Sequence, residues 1–139
     1  MKWVTWENIG VDRMACIWLI RRWIDPKAEF SFIPYGDKPS SKDGEPFDIP
    51  GEQYSHHGGH CTFYALIQEH QINDPILLRI AHIVDEADLV QEANVEPVAP
   101  GLDLLCRGVR RISKNDHDAL EHGILLYEAL YSELSAGET

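Results

Sequence analysis

The chain has 139 residues, 44% of them hydrophobic and 25% charged, a balance that suits one folded domain with its own core. Its formal net charge of −11 repels nucleic acid and anionic lipid, so this chain alone is expected to bind neither DNA nor a membrane. No apolar run approaches the ~20 residues of a membrane span, the first residues lack the apolar core of a signal peptide, and Cys16, Cys61 and Cys106 are too scattered for a disulfide framework; the expectation is a cytoplasmic protein with reduced thiols.

Lys2 to Trp6 alternates polar and apolar around β-branched residues, which predicts a short strand. Asp12 is an N-cap candidate for a helix from Arg13 to Ile24, apolar around most of its circumference and therefore buried. Asp25-Pro26 ends it. Phe30 and Phe32 mark a strand over Glu29 to Ile33, so strand, helix and strand follow in the order of a βαβ unit.

Residues 35–60 form a long polar segment, with a short extended piece at Pro46-Phe47-Asp48-Ile49-Pro50. Thr62 is read as the cap of a helix reaching His70. Asp74-Pro75 pairs a capping carboxylate with proline at the first helical position and predicts a helix to Val90. Asn94, Pro97 and Pro100 break the pattern, and Gly101 to Ile112 is helical by spacing. Asn115 or Asp116 caps a last helix to Leu134, with Leu120, Ile124, Tyr127, Leu130, Tyr131 and Leu134 inward and Ser135–Thr139 as a frayed tail. The sum is an α+β fold, mainly helical: a single domain over 1–134 with about five helices and a small N-terminal sheet of two or three strands.

The densest chemistry lies in Ser55-His56-His57-Gly58-Gly59-His60-Cys61. Imidazole and thiolate are preferred ligands of zinc and its first-row neighbours, and paired glycines let flanking side chains converge. His82, Asp85, Glu86 and Asp88 on the helix after Pro75 are a candidate second half. The metal set is therefore His56, Cys61, Asp85 and Asp88, with His57, His60 and Glu86 as weaker members, for Zn²⁺, Fe²⁺ or Mn²⁺. The competing reading is a solvated loop and exposed carboxylates on an acidic protein.

Arg13, Arg21 and Arg22 decorate an otherwise apolar helix and either pair with carboxylates, Glu7, Asp12 and Asp25 being near in sequence, or bind an anion. Cys16 lies three residues after Arg13. A neighbouring cation would activate it; otherwise it is a buried, inert thiol. His117, Glu121 and His122 read as a solvated first turn.

Val11–Pro26 (VDRMACIWLIRRWIDP), Ser55-His56, Cys61-Thr62-Phe63, Ile83–Leu89 (IVDEADL), Ala99–Leu102 (APGL) and Leu126–Tyr131 (LYEALY) together resemble the chromate-resistance family, specifically the C-terminal domain of ChrB-type proteins, over nearly the whole chain. In that family the domain stands alone or follows a regulatory or rhodanese-like segment, and DNA binding belongs to the extra N-terminal part. The resemblance points to Asp12, Arg13, Cys16, Arg21, Arg22, His56, Cys61 and Asp88. Relatives often carry glutamate at the position of Tyr64, histidine at that of Asp85 and glutamate at that of Val98, so this chain departs there.

Three readings follow. In the first, the chain is a stand-alone chromate-resistance-type domain that binds a metal ion or an oxyanion, with a small ion as partner and room for a homo-oligomer. In the second, it is a thiol- or metal-dependent enzyme with Cys16 or Cys61 at its centre. In the third, it is a structural or interaction module without a ligand site.

Overall fold

The computed structural model describes residues 1–88 and 95–137. Three strands form one sheet in the order β2-β1-β3: β1 is Lys2–Trp6, β2 Glu29–Ile33 and β3 Glu45–Pro46. Both pairings are parallel, with Trp3 opposite Phe30 on one side and Glu45 on the other. A central parallel strand is covered on both faces, and Trp3, Val4 and Thr5 are all buried. Gly44 admits β3 to this edge: its φ is +119°, and a Cβ there would lie 2.5 Å from the carbonyl carbon of Lys2.

The described residues also form five α-helices: α1 (Val11–Leu19), α2 (Thr62–Glu69), α3 (Pro75–Asp88), α4 (Ala99–Ile112) and α5 (Asp116–Gly137). The α+β expectation holds, and β1, α1 and β2 form the expected parallel unit. Helix α1 packs against each of the other four, which is why nearly its whole circumference is apolar. Trp18 sits at the centre, its ring 6.3 Å from Phe63, 5.8 Å from Tyr127 and 5.1 Å from Trp23. The polar tips are satisfied: the Tyr127 hydroxyl donates to the Val11 carbonyl at 2.6 Å and Trp18 Nε1 to Glu128 at 3.2 Å.

Several boundaries differ from the sequence reading. Residues Ile20–Ile24 continue α1 as a π-helical turn, a widened turn that lets Arg21 and Arg22 reach α5 while Trp23 packs on Trp18 and Tyr131. Asp12 does not cap α1. Gly10 does, and Asp12 lies inside the first turn with its carboxylate pointed elsewhere. Thr62 is the first residue of α2 rather than its cap. Helix α4 starts at Ala99, two residues before the expected Gly101, because Pro100 fits a helix's first turn. Helix α5 runs past Leu134 to Gly137, so residues 135–137 are helical rather than frayed. The expected end of α3 at Val90, the break at Asn94 and the last residue, Thr139, lie outside the described residues.

Asp74 does cap α3, accepting the Ile76 and Leu77 amides at 2.8 and 3.2 Å. Asp116 reaches back across the fold and accepts the Asn8 and Ile9 amides, closing the turn before α1.

Candidate functional site

The loop 55–61 packs against α3, bringing together the two halves the sequence suggested. Its histidines separate into two groups. Asp12, 2% exposed, is the first anchor. One of its oxygens accepts the Phe63 amide at 3.0 Å and the Cys16 thiol at 3.5 Å; the other accepts the Thr62 amide at 2.9 Å. A carboxylate of α1 therefore satisfies the orphan donors of α2 from 50 residues away.

His56 Nε2 lies 3.0 Å from Asp12, 3.2 Å from Asp88 and 3.5 Å from Asp48. One imidazole thus faces carboxylates from α1, from the loop before it and from the end of α3. Asp48 is held in place by two side chains: the Thr62 hydroxyl donates to Oδ1 at 2.8 Å, while Arg13 meets Oδ2 at 3.2 Å and the Asp48 carbonyl at 3.0 Å. Its backbone takes the left-handed region, φ +52°, which aspartate tolerates better than most residues. The ligand atoms of Asp12, Asp48 and His56 all lie within 4.8 Å of one another, the spacing of a cation site.

The electrostatics follow from crowding. Hydrogen bonds to Asp12 and Asp88 push His56 up to about 10, against the opposing effect of partial burial. Burial, and then the nearby Asp12, push Asp48 up to about 7, even with Arg13 beside it. The junction carries more carboxylate than its cations neutralise without strain, and it retains protons to compensate.

The second group forms around His60. Its Nδ1 lies 2.8 Å from Asp85, whose other oxygen accepts the Cys61 amide at 2.7 Å. The ring stacks on Tyr64 at 4.1 Å and forms one wall of a cleft of about 360 Å³, shared with His82, Glu86 and Glu96. Tyr64 and Asp85 thus hold one imidazole between them.

The remaining candidates take other roles. Glu86 accepts the Val95 and Glu96 amides, and His57 Nε2 meets the Gln53 carbonyl at 2.8 Å within its own turn. Cys61 is fully buried, its sulfur 3.8 Å from the Ala81 carbonyl. Burial, followed by Asp12, raises both Cys16 and Cys61 well above an ordinary thiol. Arg13 does not activate Cys16, because it is spent on Asp48; the acidic neighbours act on the thiol instead. Neither sulfur has the electropositive surroundings a nucleophile needs.

The three arginines do not converge. Arg13 pairs with Asp48, Arg21 with Glu121 at 3.1 Å and Arg22 with Glu128 at 2.8 Å. These partners are distant in sequence, not the neighbouring Glu7, Asp12 and Asp25. Glu121 is accordingly an ion-pair partner, while His117 packs edge-on to Phe32.

Asp48 and Asp12 are the cluster members the metal reading omitted. Asp48 sits in an unremarkable Pro-Phe-Asp-Ile-Pro run, and no spacing rule links it to His56. Asp12 was accounted for locally, as a cap.

The family model described as ChrB, C-terminal domain, matches residues 3–134. The chain is similar to Protein ChrB of Cupriavidus metallidurans, at 29% identity over 136 residues, covering 97% of this chain and 41% of that protein. It thus spans less than half the length of that relative. No solved structure matches it. No described helix is long and apolar enough to cross a membrane.

Proposed function

From the premise that this chain belongs to the family of ChrB C-terminal domains, we propose that it is a chromate-resistance-type domain holding a divalent transition-metal ion between Asp12, Asp48 and His56, with Asp88 at the rim. One observation carries the reading: a single imidazole nitrogen lies within 3.5 Å of three carboxylates that come from three separate parts of the chain. A set of carboxylates with one imidazole and no sulfur favours Mn²⁺ or Fe²⁺, with Zn²⁺ next. Asp12 and Asp48 would supply oxygens, and the Thr62 hydroxyl and Arg13 would orient the Asp48 carboxylate. The ion would replace the proton that His56 now holds among these acids, so binding releases protons and tightens as pH rises.

The oxyanion reading has less support. Each candidate arginine already has a carboxylate partner, and the acids around His56 Nε2 would repel chromate. The thiol-enzyme reading loses its nucleophiles to burial.

The test is metal titration of untagged, chelator-treated protein, followed by calorimetry and thermal shift with Mn²⁺, Fe²⁺, Zn²⁺ and chromate. Stoichiometric cation binding, with proton uptake by the buffer and loss in His56→Ala, is expected. Saturable chromate binding with no cation binding would replace the reading with the oxyanion one, and no response to any ion would leave the domain without a ligand here.

A further inference from the structure

The cluster around His56 offers an ion few ligand atoms, because its carboxylates are already engaged. A carboxylate has about four lone-pair positions. Asp12 has filled most of its own: one oxygen accepts the Phe63 amide and the Cys16 thiol, and the other accepts the Thr62 amide. What remains is the position on Oδ2 that faces His56 at 3.0 Å. Asp48 is restricted in the same way. The Thr62 hydroxyl donates to Oδ1 and Arg13 holds Oδ2 at 3.2 Å, so a two-oxygen grip on an ion would have to displace the guanidinium. Oδ1 alone stays open toward His56, at 3.5 Å. His56 brings one nitrogen, and Asp88 brings one oxygen or both from the end of α3.

An ion between these groups therefore receives at most five protein atoms, one each from Asp12, Asp48 and His56 and two from Asp88. An ion such as Mn²⁺ takes about six ligands in octahedral array. The shortfall has a direction. Asp12 and Thr62 are buried, and Arg13 is nearly so, which closes the back of the cluster. The side chains of His56 and Asp88 are 42% and 29% exposed, so the gap in the shell opens to solvent on their side. A structural metal site closes its shell with protein atoms, whereas a site that acts on a ligand leaves a position free.

Charge limits what can enter that position. Three carboxylates, the Arg13 guanidinium and a divalent ion leave the cluster about neutral beside an uncharged imidazole. A doubly charged anion gains no local attraction there and meets the repulsion of a chain with net charge −11. A neutral or singly charged donor pays little of that cost.

We propose that a six-coordinate ion such as Mn²⁺, held between Asp12, Asp48 and His56, keeps an open position on the His56–Asp88 side, filled by water and exchangeable for a small neutral or singly charged oxygen donor. The inference rests on the metal reading above and adds that the shell is incomplete and accessible.

Mn²⁺ titrated into untagged, chelator-treated protein tests it, with bound water counted from the broadening of the electron-paramagnetic-resonance lines in ¹⁷O-enriched water. At least one water is expected in the shell, displaced saturably by formate and not by sulfate at equal concentration. His56→Ala, a change at a half-exposed side chain, is expected to weaken Mn²⁺ binding by at least about tenfold with an unchanged circular-dichroism spectrum. Stoichiometric Mn²⁺ with no water in its shell overturns the proposal and leaves the metal reading standing, as a closed structural site. Sulfate that displaces the water as readily as formate overturns the ligand class proposed. Mn²⁺ binding that His56→Ala does not weaken puts the ion elsewhere and overturns both readings. Absence of Mn²⁺ binding overturns this inference, and absence of binding by every cation removes the metal reading with it.

Discussion

Helix α1 serves two unlike regions within three turns. Its C-terminal half lies in an aromatic core where Trp18, Trp23, Phe63, Tyr127 and Tyr131 meet ring against ring. Its first turn lies in a polar junction where Asp12 and Arg13 meet Asp48, His56 and Thr62. Both regions are dense, and no buried side-chain nitrogen or oxygen among the described residues lacks a hydrogen-bond partner. They differ in what would happen if a proton or a cation arrived. The core has few polar atoms, and their partners are fixed by the packing around them. The junction shares several acids among too few cations, so its charge state is adjustable.

The largest expected effect lies on the core side. Trp18→Ala removes the ring on which four others pack and should lower stability by about 3–5 kcal/mol, measured by urea unfolding. Asp12→Ala comes next. It strands the Thr62 and Phe63 amides inside the protein and should cost about 3 kcal/mol, with Asp12→Asn recovering part because one oxygen can still accept. If Asp12→Ala proved harmless, the junction would not be holding α2 in place.

The junction should also reveal itself by pH, and the core should not. Asp48 is raised from 3.8 to about 7 and His56 from 6.5 to about 10. Both bind a proton more tightly when folded, so the folded chain holds more protons and stability falls as pH rises. The Asp48 contribution is lost between about pH 4 and about pH 7. The His56 contribution is complete below 6.5 and lost as pH passes about 10. In metal-free protein, His56→Ala should therefore be less stable than wild type near pH 6, with the gap closing toward pH 10. A gap that is constant across that range would show that the histidine carries no excess proton. Smallest of all, Glu121→Gln should change stability by under about 1 kcal/mol, because its pair with Arg21 is exposed to water.

Much of the scaffold was legible in the sequence. The all-round apolar pattern of 14–24 marked a helix in the middle of the fold, and Asp74-Pro75 marked a helix start, because each signal is local. The approach of the His-rich loop to the acidic helix was also anticipated, and His56–Asp88 and His60–Asp85 now stand at 3.2 and 2.8 Å. The roles of Asp12 and Asp48 were not legible. An aspartate near a helix start looks like that helix's cap, and nothing in the neighbouring residues tells that its acceptors serve another helix. Ion pairing of the arginines was foreseen but not their partners: Glu121 and Glu128 lie about a hundred residues away in the chain, and only the tertiary packing of α1 on α5 brings them close. Cys16 was open to two readings, cation-activated or buried and inert, and the second holds: it is buried and hydrogen-bonds to Asp12, although Arg13 is its neighbour in sequence.

The way α2 begins has a consequence for how the chain reaches its native state. This eight-residue helix has no side-chain cap of its own at its start, and its first amides are met by Asp85 of α3 and Asp12 of α1. A segment that short does not hold helical structure alone in water. It can consolidate only after the chain has closed the large loop between residues 12 and 62, so α2 should order in the final stage of folding, behind the α1–α5 pair, and should be the first helix to exchange its amide hydrogens when the native protein breathes.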